Sequence, residues 1–192
     1  RFWNAGHMLG SASIEMKFTE PKTKRTMRLL FSGDLGPDEK SFHPEPEAEQ
    51  GFDYVICEST YGDRERADYT LEERRKALKK ELLAGLKRGG NIIIPAFAVE
   101  RSQELLHDIG VLLARNEIPD ATVFLDSPLA AKVTAVFAEH AGSFDDIDIP
   151  EAQLFRDPRF RIVQDVEESK AINRIRGGAI IISASGMADA GR

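Results

Sequence analysis

The sequence predicts an α/β protein in which a parallel sheet carries helices on both faces and follows a smaller set of antiparallel strands. Two observations carry this. Past residue 62, short apolar runs alternate with stretches of helical period, the βαβα order of a doubly covered sheet. Those runs, at 92–94, 123–125 and 180–182, are apolar at every position rather than every second one, as in strands buried on both sides.

The elements follow in order. Residues 11–18 alternate partially and residues 27–31 are apolar, with the polar turn 20–24 between them, so they predict two antiparallel strands. The second strand stops at S-G-D-L-G-P, which leaves Asp34 at its carboxyl end. Residues 38–50 are rich in Pro and Glu without a period and predict a surface loop, and 54–58 predict a short strand ending in Glu58. Thr70 and Glu73 have capping-box spacing, and Leu71, Leu78, Leu82 and Leu86 share one helical face until Gly89 and Gly90. Strand 91–95 comes next, then a helix through Leu105, Leu106, Ile109, Leu112 and Leu113, then strand 122–126. A helix carries Leu129, Val133, Val136 and Phe137. After an Asp- and Pro-rich loop come strand 160–164, a short helix and strand 179–182.

Composition narrows the function classes. The chain has 192 residues, 42% of them apolar, and a net charge of −6, which excludes a disordered tail and counts against broad, sequence-independent nucleic-acid binding. The single Cys57 excludes a disulfide framework and a Cys-rich zinc module and suits a reducing, cytoplasmic setting. No apolar run reaches the ~20 residues that span a bilayer, so no membrane partner is expected. The chain starts at Arg1 rather than at Met, which suggests an excised fragment.

Several motifs point to chemistry. Residues 4–11, N-A-G-H-M-L-G-S, hold His7 between glycines ahead of a strand, and residues 32–36, S-G-D-L-G, present Asp34. Alone, a turn histidine and an aspartate after glycine are usually local structure. Residues 58–64 follow as E-S-T-Y-G-D-R, then 94–104 as I-P-A-F-A-V-E-R-S-Q-E, 125–130 as L-D-S-P-L-A and 183–187 as S-A-S-G-M. These six blocks in this order resemble the metallo-β-lactamase superfamily, in particular its β-CASP branch of RNA-processing nucleases, over essentially the whole chain.

The resemblance implies a di-zinc site that hydrolyses RNA, with His7 binding one zinc, Asp34 bridging two, and Glu58 marking the start of the β-CASP insertion and ordering the catalytic site. It implies that residues 1–62 are part of a lactamase fold and 63–192 a β-CASP domain, with single-stranded RNA as substrate; homodimers occur among similar proteins. The superfamily's H-x-H-x-D-H does not occur here, and the four histidines, at 7, 43, 107 and 140, are dispersed. That motif is expected before Arg1 and two further histidines after Arg192. The isolated chain is therefore expected to leave its metal site empty or weakly occupied and not to cleave.

For RNA contacts the candidates lie at the carboxyl ends of the parallel strands: Arg101, Ser127, Ser185 and Gly186. Arg101 could take a phosphate or pair with Glu100 or Glu104, and Ser127 before Pro128 reads equally as a helix N-cap. Residues 64–88 hold nine Lys or Arg against five Asp or Glu, more simply a solvated helix face than an RNA patch. Asp145, Asp146 and Asp148 lack the rest of a calcium loop and predict a solvated loop. Neither a nucleophile elbow at Ser185 nor a phosphate-binding P-loop is present. A rival reading is a non-catalytic homologue that binds RNA or a partner after losing its metals. A hydrolase of small esters would leave the α/β stretch without a role.

Overall fold

The computed structural model describes residues 1–37, 40–64, 70–144, 147–184 and 187. The chain forms two compact units, Arg1–Leu71 and Glu72–Arg192.

In the first unit, β1 (Phe2–Asn4), β2 (Ala12–Thr19), β3 (Thr26–Phe31) and β4 (Tyr54–Ile56) form one sheet in that order. The expected hairpin is there, with Ile14 opposite Phe31 and Thr19 opposite Thr26. Yet β4 joins β3 in parallel, so the sheet is mixed. The register puts Phe2, Ile14, Met16, Phe18, Tyr54 and Ile56 on one face, all exposed. A stripe of this kind was not evident in the sequence, because alternation gives two faces without saying which is covered. The opposite face carries buried charge. Glu15 accepts hydrogen bonds from Arg28 Nε and Trp3 Nε1, each at 3.0 Å, and Arg28 reaches Glu49 at 2.8 Å. Burial pushes the Glu15 carboxyl up, but hydrogen bonds from Arg28, Trp3 and Lys17 outweigh it and hold it at about 2. The segment expected as a surface loop is partly interior, with Ser41, Phe42 and His43 buried.

The second unit is a parallel sheet in the order β5-β8-β6-β7, with β5 at Ile92–Pro95, β6 at Thr122–Asp126, β7 at Phe160–Val163 and β8 at Ala179–Ser183. Its helices are α1 (Leu71–Lys87), α2 (Arg101–Ala114), α3 (Pro128–Glu139) and α4 (Val166–Ile172). Both faces are covered. Ile172 of α4 packs with Val163 and Ile181 on one, while Gly110 of α2 lies against the Phe160 ring on the other. Strands β6 and β8 are central, and Val123, Leu125, Ile180 and Ile182 are fully buried, each worth about 1.5–3 kcal/mol of transfer free energy.

Helix α2 is buried along nearly its whole length, charged residues included. Arg74 of α1 bonds Glu104 at 3.2 Å and Asp108 at 3.0 Å, and Arg75 bonds Asp108 at 3.3 Å and Asp148 at 2.7 Å. Thus part of the basic run expected as a solvated face points inward, and Asp148 is an ion-pair partner of Arg75 and Arg115 rather than a solvated loop residue. Asp145 and Asp146 lie outside the described residues. His107 Nε2 accepts the Asp148 N–H at 3.3 Å, which leaves the ring proton on Nδ1, 3.4 Å from Asp108. Burial raises the Asp108 carboxyl, but the His107 hydrogen bond and the charges of Arg74 and Arg75 outweigh it and lower the group below its ordinary range.

Candidate functional site

Two glycine-flanked turns meet in the first unit. In the turn after β1, Asn4 Oδ1 accepts the Gly6 N–H at 2.8 Å, and Ser11 Oγ accepts the N–H groups of His7 and Met8, both at 3.1 Å. In the turn after β3, Ser13 Oγ donates to the Ser32 carbonyl at 2.7 Å, and Ser32 N–H donates to Ile56 at 2.9 Å. The turns dock through backbone. Gly36 N–H donates to the Ala5 carbonyl at 2.9 Å, so close that a Cβ on Gly36 would overlap Gly6. His7 and Asp34 thereby line one open cavity of about 340 Å³ with Met8, Leu9, Gly10, Ser11 and Ala12.

Leu35 ties this site to Glu58. Its carbonyl lies 3.3 Å from His7 Nδ1, and its N–H donates to Glu58 Oε1 at 3.1 Å. Glu58 Oε2 accepts the Thr60 N–H at 3.1 Å, and Glu58 N–H donates to Ser32 Oγ at 2.9 Å. Hydrogen bonds from Thr60, then Leu35, hold this carboxyl below its usual range. With Nδ1 donating to the Leu35 carbonyl, the neutral tautomer that fits this bond has its lone pair on Nε2, the form a metal ligand needs.

An imidazole nitrogen and a carboxylate in one cavity suit zinc, but two donors do not close a tetrahedral site. Among the described residues no group of three or more His, Cys, Asp or Glu is arranged to hold a metal ion.

The second unit places Arg101 as the first residue of α2, exposed, with its guanidinium on Glu104 at 2.8 Å; the ion-pair reading is realised. Ser127 caps α3, its Oγ accepting the Ala130 N–H at 3.1 Å ahead of Pro128. Both stand where strands of the parallel sheet end. Ser185 and Gly186 lie outside the described residues.

The Beta-Casp domain family matches residues 102–192. The chain is 36% identical over 202 residues to "Ribonuclease TTHA0252" of Thermus thermophilus, covering 100% of this chain and 43% of that protein. It is 31% identical over 198 residues to an "RNase J-like protein" of Methanocaldococcus jannaschii, again 100% of this chain and 43% of the relative. A "Transcription termination factor FttA" of Lokiarchaeum sp. is 31% identical over 196 residues, covering 96% of this chain and 29% of its own length. The chain belongs to the β-CASP family. It spans less than half the length of these relatives.

Within this β-CASP chain the supporting residues were the ones least visible in sequence. Ser11, Ser13 and Ser32 have no catalytic signature, yet they fix the backbone that carries His7 and Asp34. Only the spacing of Ser11 after His7 hinted at it, since a hydroxyl four residues on can accept turn N–H groups. Among the described residues no helix is long and apolar enough to cross a membrane.

Proposed function

We propose that the protein to which this chain belongs is a zinc-dependent ribonuclease that hydrolyses phosphodiester bonds of single-stranded RNA in RNA processing or decay. The observation that carries this reading is the joint placement of His7 and Asp34 on one cavity by two interlocked turns. The ribonuclease names of relatives aligned along the whole chain support the substrate class.

Within this reading His7 Nε2 and the Asp34 carboxylate are metal donors, completed by ligands other than the described residues. Zinc would activate water and offset charge on the phosphodiester. The protein's own contribution is preorganisation: Leu35 holds His7 in one tautomer, and Glu58 holds Leu35. The β-CASP domain, residues 63–192, clamps the strand, with Arg101 and Ser127, which follow strands of the parallel sheet, as RNA contacts, and with Ser185 and Gly186 as further contacts. The exposed free thiol of Cys57 fits a cytoplasmic location. Homodimerisation belongs to the same proposal, and the exposed face of Ile14, Met16 and Phe18 is a surface that could support it.

The test is degradation of end-labelled single-stranded RNA by the longer protein with added zinc. Wild type should cleave, Asp34→Ala should not, and the 192-residue chain alone should not. Cleavage surviving Asp34→Ala overturns the reading. The two-donor set favours one alternative, a homologue that binds RNA without cutting it, and RNA binding by the longer protein with no cleavage under any metal would establish that instead.

A further inference from the structure

The turn between β5 and α2 is unusually constrained for a surface segment. The Phe97 carbonyl accepts Ser102 N–H at 3.3 Å and Ser102 Oγ at 2.7 Å, and the Ala98 carbonyl accepts Gln103 Nε2 at 3.2 Å. Arg101 N–H donates to Val99 at 2.9 Å across Glu100, whose φ of 69° and ψ of −66° are those of the strained γ-turn. The Glu100 carbonyl accepts Glu104 N–H at 2.9 Å, so each carbonyl from Phe97 to Glu100 is taken by the first turn of α2.

A backbone held so firmly presents an aromatic ring to solvent. Phe97 is 59% exposed, so its ring is not there to fill the core. Its chain neighbours Ala96 and Ala98 are small. Four residues on, the Arg101 side chain is 57% exposed and anchored by the buried Glu104 carboxylate. Strained backbone that persists is a pointer to function, and a rigid aromatic loses little freedom when it binds. Its place, beyond the carboxyl end of a parallel strand, is where ligands meet such sheets.

We propose that Phe97 is a stacking platform for a nucleobase of single-stranded RNA, with Arg101 contacting a phosphate of the same strand. This rests on the RNA reading above. Every base offers a π-face, so the contact is tolerant of sequence, while the guanidinium fork matches a phosphate. An apolar protein-docking surface would need bulk at residue 97 but no aromaticity.

The test is fluorescence anisotropy with the longer protein, carrying Asp34→Ala so that the oligomer is not cut, and a labelled short oligoadenylate, beside the same oligomer carrying abasic positions. Phe97→Ala should weaken oligoadenylate binding by about 5- to 100-fold and change abasic binding little. Phe97→Trp should bind within about twofold of the Asp34→Ala protein, whereas Phe97→Leu should behave like Ala. Arg101→Gln should weaken both oligomers and lower the salt slope by about one. Thermal melting of Phe97→Ala should match wild type, since the ring is exposed. If Arg101→Gln weakens binding while Phe97→Ala does not, the RNA reading stands and the platform is wrong. Binding of neither oligomer by the Asp34→Ala protein overturns both. Retained affinity in Phe97→Leu, or a change in oligomeric state on Phe97→Ala, assigns the ring to a protein contact and overturns the proposal.

Discussion

Gly36 packs directly on the carbonyl of Gly6, so that no side chain can stand between the turn bearing Asp34 and the turn bearing His7. Gly36→Ala should therefore destabilise the first unit by about 1–3 kcal/mol and separate the two turns. Urea denaturation checks the first effect. The second should appear as changed amide chemical shifts at His7 and Asp34, and an unperturbed spectrum would refute the docking.

Glu58 gives both carboxylate oxygens to backbone donors, Leu35 and Thr60. Glu58→Gln replaces one acceptor with an NH₂ group that cannot accept. Hydrogen exchange at the Leu35 or Thr60 amide should then speed up by about 5- to 10-fold, while amides of β2 stay as they were. The His7 imidazole nitrogen shifts should move as well, because Leu35 is what orients that ring.

Protonation of Glu15 can be followed through Trp3, the only tryptophan, whose indole N–H donates to it. The carboxyl sits at about 2 in the folded protein against an ordinary value of 4.5. Its contribution to stability is thus complete above pH 4.5 and lost as pH falls toward 2. Tryptophan emission should change with a midpoint near 2, and Glu15→Gln should remove that step.

Asp108 neutralises Arg74 and Arg75 beneath the surface of α2. Asp108→Ala should cost about 3 kcal/mol in urea denaturation of the second unit, since Arg75 stays buried and keeps Asp148 as a partner. As the Asp108 carboxyl is lowered, this stability is present above its ordinary 3.8 and lost as pH falls below that value.

Glu100 adopts a positive φ that an L side chain resists. Glu100→Gly and Glu100→Ala both delete the carboxylate, so their difference isolates the backbone. The glycine variant should be more stable than the alanine variant by about 1–3 kcal/mol on thermal denaturation.

The hairpin, the βαβα order and, to within one residue, the boundaries of β5, β6 and β8 were legible in the sequence, because hydrophobic period is a local property of the chain. The same holds for Ser127, whose cap follows from Ser before Pro. His7, Asp34 and Glu58 were legible as a set only through the resemblance to the β-CASP family, since each alone is an ordinary turn residue. The parallel pairing of β4 with β3 was not legible. Nor was the burial of Arg75 and Asp108, because a charge run looks the same in sequence whether it meets water or an opposite charge.

By itself the sequence determined the strands from β2 onward, the helices, and which blocks resemble the family's, whereas β1 was not read from it. The tertiary structure alone decided which face of the β1–β4 sheet is covered, which arginines of α1 are interior, and that Leu35 joins His7 to Glu58. These contacts join residues distant in sequence, 23 positions apart for Leu35 with Glu58, 34 for Arg74 with Asp108 and 73 for Arg75 with Asp148. Period and propensity act over a few residues, whereas such contacts exist only once the backbone has folded back on itself.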